Sequence, residues 1–294
     1  MSQSFYQNKI ALITGGSRGL GLEIARKICT RGGKVALLAR DPDELAATKT
    51  KLDQFAAEAL TIQCDLVDTA QIQSAVQQTL QHFGRIDILI NNAGVIEVGP
   101  IDHLQLKDFD RAMRIHFWAP YILQFLIVPQ MRAKGGGRIV NISSIGGRIA
   151  VPHMAAYCAS KFALAGFSDA TRAELACDKI YVTTVTPGLM RTGSDVHAQF
   201  KGDHAAEYRW FRWSLKIPFA SISIQRAARK VLAACRRGSP NLVMPASTYF
   251  LIAAHALFPN SFARVMRLFN RCLPARVSQE GNQARSGLAI RAGK

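Results

Sequence analysis

The sequence predicts an α/β fold in which a parallel sheet is covered by helices on both faces. Seven short runs rich in Val, Ile and Leu recur at Lys9–Thr14, Lys34–Ala39, Ala59–Cys64, Ile86–Ile90, Arg138–Ile142, Tyr181–Val185 and Asn241–Met244. They do not alternate with polar residues, so both faces of each strand should be buried. Helical stretches separate them, as parallel strands require. With 294 residues and 49% hydrophobic content the chain can bury a full core. One α/β domain of about 250 residues plus an extension is a reasonable size.

In chain order, the N-terminus has no basic start followed by an apolar run, so no secretory signal is expected. The first strand runs into Thr14-Gly15-Gly16-Ser17-Arg18-Gly19-Leu20-Gly21. The spacing is GxxxGxG between a strand and a helix. Glycines there let the backbone turn tightly and approach a pyrophosphate, and the helix N-terminus offers N–H groups and a positive dipole. A lone glycine cluster is weak evidence, since many such turns bind nothing.

Where many NAD binders place an acid after the second strand, this chain has Ala39 and Arg40. Arg40 with Arg18 would suit a ribose 2′-phosphate, because guanidinium binds phosphate through paired charge-assisted hydrogen bonds. The residues therefore favour NADP(H), with NAD(H) as the other cofactor. The alternative is that both arginines are solvated surface residues. Asp41, Pro42 and Glu44 read as an N-cap, a first-turn proline and a capping-box acid, which explains Asp41 without a ligand. Asp65 follows the third strand and Asn91-Asn92-Ala93-Gly94 the fourth. Both lie at carboxyl ends of strands, where ligands sit, and either could be a simple turn.

Ser144 follows the fifth strand, and Tyr157 and Lys161 lie four apart in a helical stretch over 155–177. That spacing puts both on one helix face. A phenol holds its proton to about pH 10. An adjacent ammonium favours the phenolate, which would make Tyr157 a proton donor to a carbonyl receiving hydride. Ser144 could hydrogen-bond the same oxygen.

With these residues in place, the chain resembles the short-chain dehydrogenase/reductase family. The matching residues are the glycine turn, Asp65, Asn91-Asn92-Ala93-Gly94, Ser144, Tyr157 to Lys161, and Pro187-Gly188 with Thr192, in the family's order across roughly residues 8–245. The resemblance implies a single Rossmann-like domain over 1–245 with a doubly wound, seven-stranded parallel sheet. It implies that Tyr157 is the acid–base residue, Ser144 orients the carbonyl, and Lys161 lowers the phenol pKa and binds ribose. Gly15, Ser17, Gly19, Leu20 and Gly21 would cradle the dinucleotide. Asp65 and Leu66 would meet the adenine. Asn92, Ala93 and Gly94 would line the cleft, and Pro187, Gly188, Met190 and Thr192 would hold the nicotinamide end. Arg18 and Arg40 match the family's NADP-preferring pattern.

One departure stands out. Where the family usually has a fourth catalytic residue, an asparagine holding a water on a proton path, this chain has His116. Imidazole can donate and accept, so His116 could carry a pH-sensitive relay. It could instead be a packed histidine.

Residues 189–218 should cover the substrate. Their Tyr208–Trp213 run interleaves aromatic and basic side chains, which could stack on bases and bind phosphates or sit at a membrane interface, and which reads first as an apolar lid with arginines facing water. Beyond residue 245, a helical extension over 246–278 is expected. Its first apolar run is too short to span a bilayer, which takes about 20 residues. In the second helix Phe262, Val265, Met266, Phe269 and Leu273 share a face opposite Arg264, Arg267 and Arg271. That face could pack on its own domain, or 246–273 could lie on an anionic membrane. Residues 279–294 lack periodicity and read as a mobile tail.

The six cysteines are scattered without metal spacing, which suits reduced thiols in a cytoplasmic protein. The formal charge of +17 suggests an anionic ligand, lipid or nucleic acid; nothing beyond charge favours specific nucleic-acid binding. Taken together, the residues point to an NADPH-dependent reductase of an apolar ketone or aldehyde, reversible to alcohol oxidation. A homo-oligomer is expected by resemblance. The rival is a nucleotide-binding scaffold with an impaired site.

Overall fold

Alternate residues of the first strand enter two separate cores, as an apolar run without polar alternation requires. In the computed structural model, which describes residues 4–55, 58–191, 193–215, 221–275, 277 and 279–292, Ala11 and Ile13 join one buried cluster and Leu12 another. Truncating Leu12 to Ala would cost about 2–5 kcal/mol, because the surrounding layers cannot collapse onto the gap.

The strands are β1 (Ile10–Thr14), β2 (Lys34–Ala39), β3 (Ala59–Gln63), β4 (Ile88–Asn91), β5 (Gly137–Ile142), β6 (Ile180–Pro187) and β7 (Asn241–Met244). All seven sequence-predicted strands are present, shifted by at most two residues at most ends. They form a seven-stranded parallel sheet in the order β7-β6-β5-β4-β1-β2-β3. Leu12 lies opposite Ala36 on one side and Leu89 on the other.

The helices are α1 (Gly19–Cys29), α2 (Pro42–Asp53), α3 (Thr69–Phe83), α4 (Leu106–Met113), α5 (Ala119–Ala133), α6 (Ala155–Leu175), α7 (His204–Ser214), α8 (Ile224–Arg237), α9 (Ala246–Leu257), α10 (Pro259–Arg271) and α11 (Gly287–Ala292). Residues of α1, α2 and α8 fill the cluster on one sheet face, and residues of α3, α5 and α6 fill the other. The fold is therefore a doubly wound, Rossmann-like α/β architecture. Strand order reverses between β1 and β4, and the carboxyl ends of those strands flank the crevice where such sheets bind ligands.

One expectation for the C-terminal part is corrected. Residues 279–292 are not a free tail. Arg285–Ser286 pairs antiparallel with Gln199–Phe200, which in turn pairs with Glu97–Val98. The Gly287 N–H donates to the Ala198 carbonyl (3.0 Å), and Ile290 packs on a small core around Phe200, Tyr208 and Phe211. A Cβ at Gly287 would lie 2.0 Å from the Asp195 carbonyl oxygen. Glycine at 287, in the stretch that read as a mobile tail, is what allows this close approach. The apolar face of α10, in turn, does not pack into its own domain deeply enough to bury any residue.

Candidate active site

Contacts that exclude larger residues shape the glycine turn. Gly15 sits at φ +62°, and a Cβ there would lie 2.9 Å from Ala93 Cα; one at Gly21 would lie 2.2 Å from the Gly15 carbonyl oxygen. At Gly19, φ +57°, a Cβ would meet nothing within 4 Å, so this residue borders open space. No side chain caps α1 and no acid lies in its first turn. Its N-terminal N–H groups and positive dipole end therefore suit an anion. Leu20 is buried beneath them.

Thr14 Oγ1 accepts from the N–H of Asn92 (2.9 Å) and Ala93 (3.0 Å). Asn92 Nδ2 donates to the carbonyls of Thr14 and Gly15, each at 3.0 Å. These bonds tie the ends of β1 and β4 together across the reversal. Behind them, Asn91 Nδ2 donates to Asn141 Oδ1 (2.7 Å), and Asn141 Nδ2 to Ser168 Oγ (2.8 Å). The chain of amides locks β4 and β5 to α6.

After β2, Arg40 is exposed and its carbonyl accepts from Gln63 Nε2 (3.2 Å). Asp41 caps α2 as its sequence predicts, accepting at Oδ1 from the N–H of Asp43 and Glu44 (3.0 Å each). Glu44 does not complete a capping box. Its carboxylate takes the Arg18 guanidinium (Nη1 to Oε1, 2.5 Å) and the Ser17 hydroxyl (2.8 Å). A charge-assisted pair wins over a neutral backbone N–H. Thr48 Oγ1 adds a bond to the Ser17 carbonyl (2.7 Å), so α2 grips the glycine turn at three points. Arg18 is thus ion-paired, while Arg40 presents its charge to solvent. Asp65 Oδ1 accepts from the Val67 N–H (3.1 Å), forming a tight turn. The Leu66 side chain is buried in a core, leaving its backbone for a ligand.

At the reactive end, Ser144 Oγ accepts from the Gly146 N–H (3.1 Å), and Ser143 Oγ donates to the Lys161 carbonyl (3.1 Å). A Cβ at Gly146 would lie 3.0 Å from Tyr157 Cε1; glycine there gives the phenol ring its place. Lys161 Nζ donates to the Ile142 carbonyl (2.9 Å) and lies 5.9 Å from the Tyr157 ring centre. Ser144, Tyr157 and Lys161 are therefore brought together.

Their protonation differs from the sequence expectation. Burial pushes the Tyr157 phenol up to about 12, and a hydrogen bond with Ser144 offsets this only in part. Burial pushes Lys161 down to about 7. Desolvation penalises each charged form, so the ammonium does not dominate the phenol. The phenol keeps its proton at neutral pH and the amine titrates there.

His116 takes the packed arrangement, one of the two readings its sequence left open. It sits in a π-helical turn, Arg114–Trp118, between α4 and α5. Its Nε2 accepts from the Val95 N–H (3.0 Å), so Nδ1 carries the proton and donates to Ser160 Oγ (2.7 Å), which donates to the Tyr157 carbonyl (2.8 Å). Burial, and then Lys161, hold its pKa well below the usual histidine value. Both nitrogens are committed. His116 is a neutral brace between the loop after β4 and the first turn of α6, and it meets the Tyr157 ring edge-on at 5.5 Å. A Cβ at Gly94 would lie 3.0 Å from His116 Nε2, so the glycine admits the imidazole.

On the substrate side, Pro187 ends β6 and the Gly188 N–H donates to the Met244 carbonyl (2.7 Å). Met190 lies in a short strand, Leu189–Arg191, paired with Ser221–Ser223, and packs on the core. Thr192 and residues 216–218 lie outside the described residues. In α7, Tyr208 and Phe211 face the small core while Arg209, Arg212 and Trp213 are exposed. Sequence reading missed Glu207. Fully buried, it bonds His153 Nδ1 (2.7 Å) and accepts from Trp210 Nε1 (2.5 Å). It joins α7 to the turn that starts the Tyr157 helix.

Residues 9–201 match the sequence model of the short chain dehydrogenase family. The chain belongs to the short-chain dehydrogenase/reductase family. Among its relatives, the dehydrogenase/reductase SDR family protein 7-like of Anopheles gambiae is 38% identical over 195 residues, 65% of this chain and 62% of that protein. Family member 7B of Rattus norvegicus is 38% identical over 204 residues, 67% of this chain and 62% of that protein. The match thus spans less than two thirds of these relatives' length. L-Sorbose reductase from Gluconobacter frateurii, solved with NADPH and L-sorbose, superposes with a TM-score of 0.74 at 26% identity, over 83% of this chain and 97% of its own.

Proposed function

We propose that this family member is an NADPH-dependent oxidoreductase that interconverts an apolar ketone or aldehyde and its alcohol. One observation carries the reading: buried Ser144 and Lys161 with half-buried Tyr157 gather at the carboxyl end of β5, next to β4, whose end is tied to the open, uncapped glycine turn. The turn fits a dinucleotide, since Gly19 opens on free space and no acid lies in the first turn of α1. Gly15, Ser17, Gly19, Leu20 and Gly21 would hold the pyrophosphate, Arg18 and Arg40 the 2′-phosphate, Asp65 and Leu66 the adenine. Asn92, Ala93, Gly94, Pro187, Gly188, Met190 and Thr192 would line the nicotinamide half. When bound, the nicotinamide supplies or accepts the hydride.

The residues do the rest. Ser144 offers its hydroxyl to the substrate oxygen as charge develops there. Tyr157 gives that oxygen its proton, and its raised pKa keeps the proton available at neutral pH. Burial lowers the Lys161 pKa to about 7; nearby phosphates would favour its charged form, and its remaining N–H groups suit a ribose hydroxyl. Half-buried Ile96, Met154, Trp210 and Leu215 around the small core support an apolar substrate. Exposed Trp118, Tyr121 and Phe125 on and beside α5, with Phe162 on α6, support a homo-oligomer.

The test is a carbonyl panel with NADPH and NADH. Turnover lost in Tyr157→Phe with NADPH binding retained is the expected result, and equal turnover by that variant would end the reading. The occupied nitrogens of His116 favour a second reading, a nucleotide-binding scaffold without turnover. It predicts NADPH binding, no oxidation across the panel, and no rescue by His116→Asn.

A further inference from the structure

Helices α9 and α10 leave unusual apolar surface uncovered. Helix α9 buries only Thr248, and α10 buries no residue. Tyr249, Phe250, Leu257, Phe258, Val265 and Leu268 are exposed, Phe250 and Leu257 at 72% each. Phe250 and Leu257 are seven apart and share a side of α9, with Phe258 at the corner that follows. Val265 and Leu268 are neighbours on α10, and Leu268 lies between Arg264 and Arg271 along the helix surface. The two helices touch through His255 and Phe262 (ring centres 5.1 Å). Helix α10 reaches α7 through Phe269 and Trp210 (6.4 Å), and α7 adds exposed Trp213, Arg209 and Arg212.

Charge chooses the occupant. Between Tyr208 and Gln279 the sequence holds twelve lysines and arginines and no aspartate or glutamate, so this stretch supplies most of the net +17. Exposed aromatic and aliphatic side chains beside arginines, with no carboxylate to repel an anion, are the chemistry of a helix lying in a membrane interface. Among the described residues no helix is long and apolar enough to cross a membrane, which leaves the surface of the bilayer. A nucleic acid would use the arginines and leave Phe250, Leu257 and Phe258 without a role.

We propose that α9, α10 and the outer side of α7 form a docking surface for an anionic lipid bilayer. Apolar side chains enter the headgroup region, and Arg264, Arg267 and Arg271 meet the lipid phosphates and carboxylates. Trp210 joins this surface to the cleft, since its Nε1 bonds the Glu207 carboxylate that holds His153 ahead of the Tyr157 helix. The proposal goes beyond the reading of the cleft and needs no turnover to be tested.

The experiment is cosedimentation of the full chain with phosphatidylcholine vesicles, with and without phosphatidylserine. Binding is expected only with phosphatidylserine and should weaken as salt rises. Arg264→Gln/Arg267→Gln/Arg271→Gln should bind roughly a hundredfold more weakly, about fivefold per charge. Phe250→Ser/Leu257→Ser/Phe258→Ser should also lose binding, although its charge is unchanged. Circular dichroism and NADPH binding check that both variants fold. No sedimentation of the wild type with either vesicle, or equal binding by both variants, overturns the proposal. So does a concentration-dependent dimer that the Phe250/Leu257/Phe258 variant dissolves without any vesicle binding, which would give the surface to a second copy. Binding to duplex DNA that exceeds vesicle binding and ignores the apolar substitutions would equally overturn it.

Discussion

At one end of the cleft Lys161 and His116 are buried, Tyr157 is half-buried, and hydrogen bonds hold all three; at the other, exposed Arg18 and Arg40 and half-buried Glu44 meet solvent. The reactive end has lost its water, so desolvation sets protonation there: a phenol that keeps its proton, an amine that releases one near neutrality, an imidazole that stays neutral. The exposed end works by pairing charges across water, which is weaker and screened by salt. Chemistry at the buried end is therefore sensitive to deleting one atom, and recognition at the exposed end to changing one charge.

The sharpest way to break the comparison is Tyr157→Phe. Removing the phenol oxygen should lower carbonyl reduction about 10²–10⁴-fold with NADPH affinity kept, measured by steady-state rates and fluorescence titration. Next comes Lys161. Its folded pKa of about 7 lies below that of the unfolded chain. Between the two values the unfolded state binds the extra proton, so stability rises with pH, by up to about 1.4 kcal/mol per pH unit. The Lys161 contribution is read as the difference between melting curves of nucleotide-free wild type and Lys161→Met, since above about pH 8.5 the buried thiols Cys29, Cys64, Cys158 and Cys235, whose pKa values burial raises, pull stability the other way. That difference should grow in favour of the wild type from about pH 7 upward, and a difference that does not change with pH would refute the buried neutral amine.

His116→Phe should destabilise by about 1–3 kcal/mol in denaturant melts, because the Val95 N–H loses its acceptor and Ser160 its donor. For the wild type, the pH–rate profile should have no inflection near 6.5 that depends on His116; one that vanishes in the variant would restore the relay. The smallest effect is at the exposed end. Glu44→Gln frees Arg18 and removes a carboxylate. It should tighten 2′,5′-ADP relative to 5′-AMP by up to about fivefold at low salt, and added salt should shrink the gap. No change in the ratio would mean that Glu44 does not restrain Arg18.

Local chemistry made much of this legible. The seven strands show themselves because buried parallel strands are apolar on both faces. Asp41 shows itself as a cap because short acids favour that position. The glycine turn, Tyr157 and Lys161 carry short-range spacing, and Thr14 with Asn92 closes the turn from the end of β4. Glu207 carried no such signal, and the one Glu44 carried, that of a capping-box acid, pointed to the wrong partner. The partner each takes, His153 or Arg18, lies 54 or 26 residues away.

What the amino-acid order determined by itself was the periodicity, the caps and turns, and which phenol and amine could meet, since these depend on neighbours a few bonds or one helical turn apart. What only the tertiary structure decided was the state of those groups. Whether a lysine is charged, whether a histidine has a nitrogen to spare, and whether an acid caps its helix or clamps an arginine all depend on water excluded and partners delivered by distant segments. The same holds at the C-terminus, where an open strand edge at Gln199–Phe200 turned a glycine-rich tail into the third strand of a small sheet.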